Sequence, residues 1–333
     1  MKPLRHLSAD EVLASLPPLP ERLVLARTVL TAIGREAELP PKIGVHPRQP
    51  GSLADAMPAL LRSPGDDPAA DLIGVKWIVG MPANPARGLP TYSALVIVND
   101  PVTGEPLGVI DGDAITAART AAISGTVIGH LLPEGTGPGG RPARVALLGA
   151  GAQARAHVPV IGLLLPGARL LLTDVAGPRA RALAGEASAS VGIGSAEAVS
   201  SVRDAVDSAD IVVSVVSFGP VHQNLDPAWL SPDALLIAVD YDMQAPAALA
   251  RESLFIVDET GQFAARRESG LFTGYPDPAG TIGGLLRGEI AGGGRPDGRI
   301  LAIHLGVGLA DVVFAAAVLA RAEELGLGRL LPR

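Results

Sequence analysis

The residues with the clearest chemical meaning form a short glycine-rich run behind an apolar segment. The segment is 144–148, and Gly149-x-Gly151-x-x-Ala154 follows it directly. Between a strand and a helix, the first glycine of such a run permits a tight turn and the second lets the backbone approach a pyrophosphate. A small third residue allows close helix packing. The run therefore predicts a dinucleotide-binding turn, although a plain strand–helix corner can share its spacing.

An acidic residue at the end of the next apolar run supports the dinucleotide-binding interpretation. Asp174 ends the run 168–174, about 20 residues beyond the glycines, where NAD-binding folds hold the adenosine ribose. Its charge would repel the 2′-phosphate of NADP(H), so the sequence favours NAD(H). Arg179 and Arg181 follow closely and could reach such a phosphate, but paired charges on a helix usually face solvent.

Charged side chains at three places in the chain, all in apolar or small-residue surroundings, are candidates for substrate chemistry. Lys76 lies in the middle of a predicted strand, where a desolvated ammonium must pair with an anion or lose its proton. Arg119 stands among alanines of a predicted helix, and its planar guanidinium suits a bidentate grip on a carboxylate. Asp240 and Asp242 follow an apolar strand at the end where α/β sheets bind ligands. Periodicity does not decide which aspartate faces the ligand.

Each of these residues also has a purely structural interpretation. Lys76 could extend along an edge strand to water, Arg119 could form a salt bridge between domains or subunits, and either aspartate could stabilise a turn. The histidines show no metal-ligand spacing, and His46, His222 and His304 are isolated in sequence. We therefore predict no metal site.

The elements that must position these residues predict an α/β fold with two domains. Capping and periodicity predict helices from Ser8 and Pro20 and a long helix from Asp111 to about Leu132. Strands are predicted at 42–46, 72–79, 93–98 and 106–110. Apolar strands and helices then alternate, which is typical of a parallel sheet. We predict a Rossmann-type NAD-binding domain at 143–308. An α+β substrate-binding and dimerisation domain is predicted at 1–132, to which about 309–333 return.

Composition excludes several classes of function. The net charge is −7, which argues against a nucleic-acid partner. The chain has no cysteine, so disulfides, thiolate metal sites and a cysteine nucleophile are excluded. The first residues lack a secretory signal, and no apolar run approaches the ~18 residues that a transmembrane helix needs. We therefore expect a cytoplasmic protein without a membrane partner.

Several further stretches, in order, give the chain a resemblance to a known family over nearly its whole length. The stretches are 41–46, 56–59, 75–90, 99–107, 111–122 and 148–153. Together they resemble the ornithine cyclodeaminase/mu-crystallin family. The resemblance implies a homodimer formed through a shared sheet of the first domains, with a substrate bound between that domain and the Rossmann-type domain.

The resemblance also implies roles for individual residues. Lys76 and Arg119 would hold the carboxylate of an amino or imino acid, and Asp242 would handle protons at its α-nitrogen. The predicted catalytic residues are Asp242 and Lys76; the predicted substrate-binding residues are Arg119, Lys76, Lys42 and Met57; and the predicted cofactor-binding residues are Gly149, Gly151, Ala152, Gln153, Asp174, Thr120 and Val216.

The chain departs from the family pattern at several of its positions. Lys42 replaces a family arginine, with Arg48 as an alternative, Asp240 replaces a glycine, and His304 replaces a serine near the nicotinamide. These departures affect the identity of the substrate more than the general chemistry.

The implied activity is NAD(H)-dependent hydride exchange at the α-carbon of an amino or imino acid, with cyclising deamination of ornithine to proline as one form. A ketimine reductase or an alanine-dehydrogenase-like enzyme is an alternative, because all three reactions need the same groups. A non-catalytic, crystallin-like protein that binds NAD(P)H or a small ligand is an alternative of another class. A third alternative, for which the sequence gives less support, is an accessory subunit of an amine-metabolising system. The joint presence of Lys76, Arg119 and Asp242 favours the enzyme.

Overall fold

Strands and helices follow one another along the whole chain in a computed structural model that describes residues 3–65, 67–137 and 139–333. The strands are β1 (Leu4–Leu7), β2 (Ala37–Glu38), β3 (Ile43–Val45), β4 (Leu53–Leu61), β5 (Leu72–Gly80), β6 (Tyr92–Asn99), β7 (Pro106–Asp111), β8 (Arg144–Leu148), β9 (Ala168–Thr173), β10 (Ile193–Ala198), β11 (Ile211–Ser214), β12 (Leu235–Ala238), β13 (Leu254–Val257), β14 (Gly280–Thr281), β15 (Ile300–Ile303) and β16 (Arg329–Leu331). The α-helices are α1 (Ala9–Ser15), α2 (Leu19–Ala32), α3 (Gly112–Leu131), α4 (Ala152–Leu164), α5 (Gly177–Ser188), α6 (Val202–Val206), α7 (Ala247–Arg251), α8 (Thr260–Glu268), α9 (Ile282–Leu286) and α10 (Gly308–Glu324). Among the described helices, none is both long and apolar enough to cross a membrane.

The chain divides into two compact units, Met1–Arg119 with Val307–Arg333 and Thr120–Gly306. The first boundary therefore falls within α3, between Arg119 and Thr120, whereas the sequence predicts a first domain that extends to residue 132. The reason is that Arg119 pairs inside the first unit, whereas Ser124 hydrogen-bonds to residues of the second. Substrate binding and dimerisation by the first unit stay predictions.

The first unit contains a mixed sheet in the order β16-β1-β7-β6-β5-β4-β2, with β3 also paired to β4. The sequence does not predict β4, because Pro58 stands in its middle. Pro58 lies opposite Val75 of β5, and on the other side of β4 it falls between the residues that pair with β3 and those that pair with β2. A missing N–H is tolerated in such a gap.

Helix α10 covers one face of this sheet, over β4, β5 and β6. The helix begins at Gly308, where an added Cβ would lie 2.4 Å from the carbonyl oxygen of Met57 in β4. Only glycine permits this approach of helix and strand. The first turns of α10 are consequently buried against the face of β5 that carries Lys76.

The opposite face of the sheet is apolar and exposed. We call it the open sheet face; its most exposed large side chains are Ile43, Val45, Ile73, Trp77 and Leu95. Trp77 stands directly opposite Leu95 in the β5–β6 ladder, and Ile73 lies on the same side of β5. A contiguous apolar surface of this kind usually marks an interaction site.

A buried ion triad ties α10 to the rest of the first unit. Asp311 of α10 has its Oδ2 2.8 Å from Lys76 Nζ and its Oδ1 3.1 Å from Arg119 Nε. All three side chains are buried. Lys76 lies in β5 between β4 and β6, so the edge-strand interpretation is wrong. Arg119 does form a salt bridge, but with a residue of its own unit.

The second unit is built on parallel strands in the order β10-β9-β8-β11-β12-β15-β13-β14. Strands β11, β12 and β15 are buried along their whole length. The strand order changes direction between β8 and β11, and α/β sheets bind ligands at the carboxyl ends of strands beside such a point. The predicted α/β fold with a Rossmann-type domain is confirmed.

Replacement of Asp311 by asparagine should destabilise the protein at pH 7. Asp311→Asn preserves volume but leaves two buried cations without their counterion, and removal of one partner from a buried pair costs about 3–5 kcal/mol. Urea-induced unfolding measures the change. The matched control is Glu38→Gln, because the Glu38–Arg62 pair is exposed and should change stability little. Equal stability of the two variants would contradict the role given to Asp311.

Candidate functional site

The glycine-rich turn between β8 and α4 has the geometry that a dinucleotide requires. Gly149 has φ +100°, and an added Cβ would lie 2.8 Å from the carbonyl oxygen of Val215. At Gly151 an added Cβ would meet nothing within 4 Å, so the backbone there faces open space. Ala154 is fully buried. The three positions thus supply the tight turn, the approach path and the close packing that the fingerprint needs.

Asp174 follows β9 and lies beside this turn. Its Oδ2 accepts a hydrogen bond from the Ala150 N–H at 2.9 Å, and its Oδ1 accepts one from the Ala176 N–H at 2.8 Å. Each carboxylate oxygen has a second lone pair that can accept from a ribose hydroxyl. Arg179 and Arg181 are exposed on α5, as the sequence predicts.

The other predicted cofactor-binding residues lie in different surroundings. Val216 directly follows Val215, whose carbonyl oxygen lies against Gly149. The Val216 N–H donates to Asp240 Oδ2 at 3.2 Å. Ala152 is exposed at the start of α4, next to the half-buried Gln153, and Thr120 is buried in α3. The structure therefore brings Val216 to the glycine turn and makes Thr120 an interior residue.

A buried chain of hydrogen bonds joins α3, α4 and the segment after β15. Ser124 Oγ lies 2.8 Å from His157 Nε2 and 2.9 Å from His304 Nε2, and His157 Nδ1 lies 2.7 Å from the Gln153 carbonyl oxygen. Burial lowers the pKa of His157 to about 4, so this imidazole is neutral. Its Nδ1–H donates to the carbonyl, Ser124 donates to its Nε2, and His304 donates to Ser124. The chain orients His304, which sequence spacing leaves isolated.

The ion triad carries a surplus of positive charge. Burial lowers the pKa of Lys76 to about 8, although Asp311 acts in the opposite direction. Burial favours the neutral form of Asp311, but Arg119 and Lys76 outweigh it and hold its pKa below the ordinary value. Two cations and one carboxylate leave one net positive charge in a buried place. Such a charge is costly unless an anion binds to it.

The remaining predicted substrate-binding residues differ in their burial and in their relation to Lys76. Met57 is buried and stands directly opposite Lys76 in the β4–β5 ladder. Lys42 is half-buried, and its charge lowers the pKa of Lys76, so it acts on the triad electrostatically. Arg48 is exposed. The structure thus brings Lys42, Met57, Lys76 and Arg119 into one neighbourhood of the first unit.

The two aspartates after β12 are both buried but have different partners. Asp240 accepts hydrogen bonds from the Ser214 hydroxyl and the Val216 N–H, and burial raises its pKa to about 7. Asp242 Oδ1 lies 2.8 Å from His222 Nδ1, and its Oδ2 accepts from the Phe272 N–H at 2.9 Å. Asp240 therefore stabilises the end of β11, whereas Asp242 contacts the titratable side chain of His222. In the described part of the chain, no group of three or more His, Cys, Asp or Glu could hold a metal ion.

Four residues of these arrangements are missed by sequence reasoning: Asp311, Ser124, His157 and His222. Asp311 is a lone carboxylate in an apolar helical run, which is a usable signal for the counterion of a buried cation. The other three have no spacing pattern, because their partners lie far away in the sequence.

Comparison with known proteins finds a matching family model and similar proteins that cover most of the chain. The model of the ornithine cyclodeaminase/mu-crystallin family matches residues 23–326. The nodulation efficiency protein NfeD of Rhizobium meliloti is 30% identical over 333 residues, covering 99% of this chain and 98% of that protein. Delta(1)-pyrroline-2-carboxylate reductase 1 of Burkholderia multivorans is 32% identical over 283 residues, covering 81% and 82%.

Solved structures share the fold over the whole length. The Thermococcus litoralis Delta(1)-pyrroline-2-carboxylate reductase, in complex with NADH and L-proline, has a TM-score of 0.83 at 21% identity, covering 98% of this chain and 100% of that one. A lysine cyclodeaminase, whose structure concerns recognition of L-lysine, L-ornithine and L-2,4-diamino butyric acid, has a TM-score of 0.81 at 26% identity, covering 100% and 96%. With the family model matched over most of its length, the chain belongs to the ornithine cyclodeaminase/mu-crystallin family.

Proposed function

We propose that this protein is an NAD(H)-dependent oxidoreductase that exchanges hydride at the α-carbon of an amino or imino acid. The observation that carries the proposal is the buried ion triad, because its single surplus positive charge matches a single substrate carboxylate. Lys76 would bind the carboxylate as a point charge. Arg119 uses its Nε toward Asp311, so its terminal nitrogens can form the bidentate contact.

The proposed cofactor fits the second unit. The left-handed turn at Gly149, the open space at Gly151 and the carboxylate of Asp174 are the features that would hold the pyrophosphate and the adenosine ribose of NAD(H). When bound, the cofactor supplies or accepts the hydride. Asp242 and its hydrogen-bond partner would handle the proton at the α-nitrogen.

Within this activity, we favour reduction of a 2-imino acid. The support is the 32% identity to a pyrroline-2-carboxylate reductase over most of the chain. Cyclising deamination of ornithine or lysine is the second candidate, supported by the fold and 26% identity shared with a lysine cyclodeaminase. The non-catalytic, crystallin-like alternative is less well supported, because the chain has the buried cations and Asp242. A cytoplasmic location remains a prediction from the sequence.

The proposed quaternary structure is a homodimer formed through the open sheet face. This face exposes Trp77 at 43% and Ile43 and Val45 at 61% each, which is unfavourable for an isolated protomer in water. A second copy would cover the same residues by twofold symmetry.

The decisive experiment tests turnover and the carboxylate contact together. Purified protein with NADH should reduce Δ1-pyrroline-2-carboxylate or a related 2-imino acid, while NAD⁺ with L-proline, L-ornithine and L-lysine tests the reverse and cyclising reactions. Arg119→Ala should remove about 2–4 kcal/mol of transition-state stabilisation, measured as a decrease in kcat/KM. The affinity for NADH should stay unchanged. The control is Arg62→Ala, an exposed arginine of the same unit. NADH binding without turnover of any substrate would favour the non-catalytic alternative, and unchanged kinetics would remove Arg119 from the site.

Cofactor choice tests the role of Asp174. We expect the wild type to prefer NADH over NADPH by about tenfold or more, about 1.4 kcal/mol, since the carboxylate repels the 2′-phosphate. Asp174→Ser should reduce this preference for NADH, as measured by the dissociation constants of NADH and NADPH. Asp277→Ser, at an exposed position of the same unit, is the control. A wild type that binds both cofactors equally well would contradict the assignment.

The mass of the protein in solution tests whether the open sheet face is the dimer interface. Trp77→Asp should convert a dimer into monomers, because a charge in the centre of an apolar interface is desolvated on association. Sedimentation velocity over a range of concentrations measures the change. Val24→Asp alters an exposed apolar residue of α2 and should leave the dimer intact. A monomeric wild type, or a dimeric Trp77→Asp variant, would rule out this interface.

A further inference from the structure

We propose that His222 exchanges the proton with the α-nitrogen of the substrate and that Asp242 is its positioning residue. The inference rests on the proposed function and assigns within it the proton-transfer step. It differs from the role that family resemblance gives to Asp242, in which the carboxylate itself carries the proton.

The exposure of the two side chains supports this division of roles. The side chain of Asp242 is 4% exposed, whereas that of His222 is 33% exposed. Both oxygens of the carboxylate are engaged, Oδ1 by His222 Nδ1 at 2.8 Å and Oδ2 by the Phe272 N–H at 2.9 Å. A base has to be within reach of the proton that it takes, and of the pair, the imidazole is the group open to other molecules.

The hydrogen bond to Asp242 also determines the tautomer. An ionised carboxylate only accepts hydrogen bonds, so Nδ1 of His222 has to carry the hydrogen. In the neutral imidazole, Nε2 then has the free lone pair and can act as the base. A buried carboxylate that orients a histidine in this way is the general arrangement of histidine bases.

Three residues with positive φ lie beside the pair or contact it. Gln223 follows His222, Tyr241 precedes Asp242, and Phe272 donates to Asp242; their φ angles are 58°, 61° and 55°. Positive φ is unfavourable for a residue other than glycine and persists where the surrounding structure enforces it. Such strain concentrates at functional sites, which agrees with a function for the His222–Asp242 pair.

The loop that carries His222 is tied to the segments around it. The Gln223 N–H donates to the Asp242 carbonyl at 2.8 Å, and its side chain joins the Thr273 carbonyl at 3.0 Å and the Ala247 N–H at 2.8 Å. These bonds hold the imidazole in position relative to the carboxylate. The pair also lies after β11 and β12, whose carboxyl ends share an edge with that of β8 and its glycine turn.

The other titratable groups of the contacting segments 214–225, 240–247 and 266–275 are Asp240, Tyr241, Arg266, Arg267, Glu268 and Tyr275. Burial raises the pKa of Tyr275, and Asp242 and Asp240 raise it further. The Tyr275 hydroxyl donates to the Ala245 carbonyl at 2.6 Å. Tyr275 is therefore a fixed neutral donor and does not compete with His222 for the proton.

The proposed step conserves atoms and charge. In reduction, the imidazolium form of His222 gives its Nε2 proton to the imine nitrogen, and the substrate becomes an iminium cation. The bound cofactor would supply the hydride to the α-carbon, so the C=N double bond would become a single bond and the product would be the amine. His222 is left neutral and regains a proton from water at its exposed side. Oxidation of an amine would use the same transfers in reverse.

The test compares His222→Ala, Asp242→Asn and His6→Gln, the last at an exposed histidine of the other unit. We expect kcat of His222→Ala to fall by about 10²–10⁴-fold, with loss of the pH dependence in the range where histidines titrate and with unchanged NADH affinity. Added imidazole should restore turnover to His222→Ala but not to Asp242→Asn. A merely structural role of His222 would show no such rescue.

Two outcomes of this comparison would overturn the proposal, and they are distinguishable from each other. If the wild type is active and His222→Ala retains its turnover and pH profile, His222 is not the proton carrier although the proposed function stands. If the wild type reduces no imino acid, the proposed function fails and takes this inference with it.

A measurement without cofactor or substrate checks the pair itself. In protein labelled with ¹⁵N-histidine, neutral His222 should carry its hydrogen on Nδ1, and Asp242→Asn should change this tautomer or its population. The opposite tautomer in the wild type would overturn the proposal.

Discussion

The architecture of the first unit depends on the pairing of two buried cations with one buried carboxylate. Lys76 in β5 and Arg119 in α3 are both out of water, and an unpaired charge in such a place is far too costly to persist. Asp311 meets both of them from α10. The return of the chain to the first unit after the whole second unit is therefore more than a packing arrangement, since it supplies the counterion. The triad still has one net positive charge. The same three residues that stabilise the fold can therefore also bind an anion.

Sequence reasoning succeeds where local chemistry determines local structure. The glycine run, the capping box at Ser8 and the apolar strands of the second unit are short-range signals, and the structure has the predicted turn, helix and strands at these positions. Lys76, Arg119 and Asp242 are recognisable because charged residues rarely stand in apolar surroundings without a partner. Such a residue reveals that a partner exists.

Sequence reasoning fails where the partner lies far along the chain. Asp311 is separated from Arg119 by the second unit, and His222 meets Asp242 only because β11 and β12 are neighbours. Strand β4 escapes prediction because the tolerance of Pro58 depends on the registers of β2 and β3. The boundary inside α3 has the same origin, because helical periodicity does not reveal which tertiary partners each turn of a helix has.

The position of Asp311 in the chain has a consequence for synthesis on the ribosome. The second unit is continuous, so every strand of its sheet has been translated before α10 begins. The first unit contains both cations early but lacks their counterion until α10 emerges. Domains generally fold as units, N-terminal first, yet here the order of completion is reversed. All residues of the second unit are therefore present in the nascent chain while the unit that begins at the N-terminus still lacks α10.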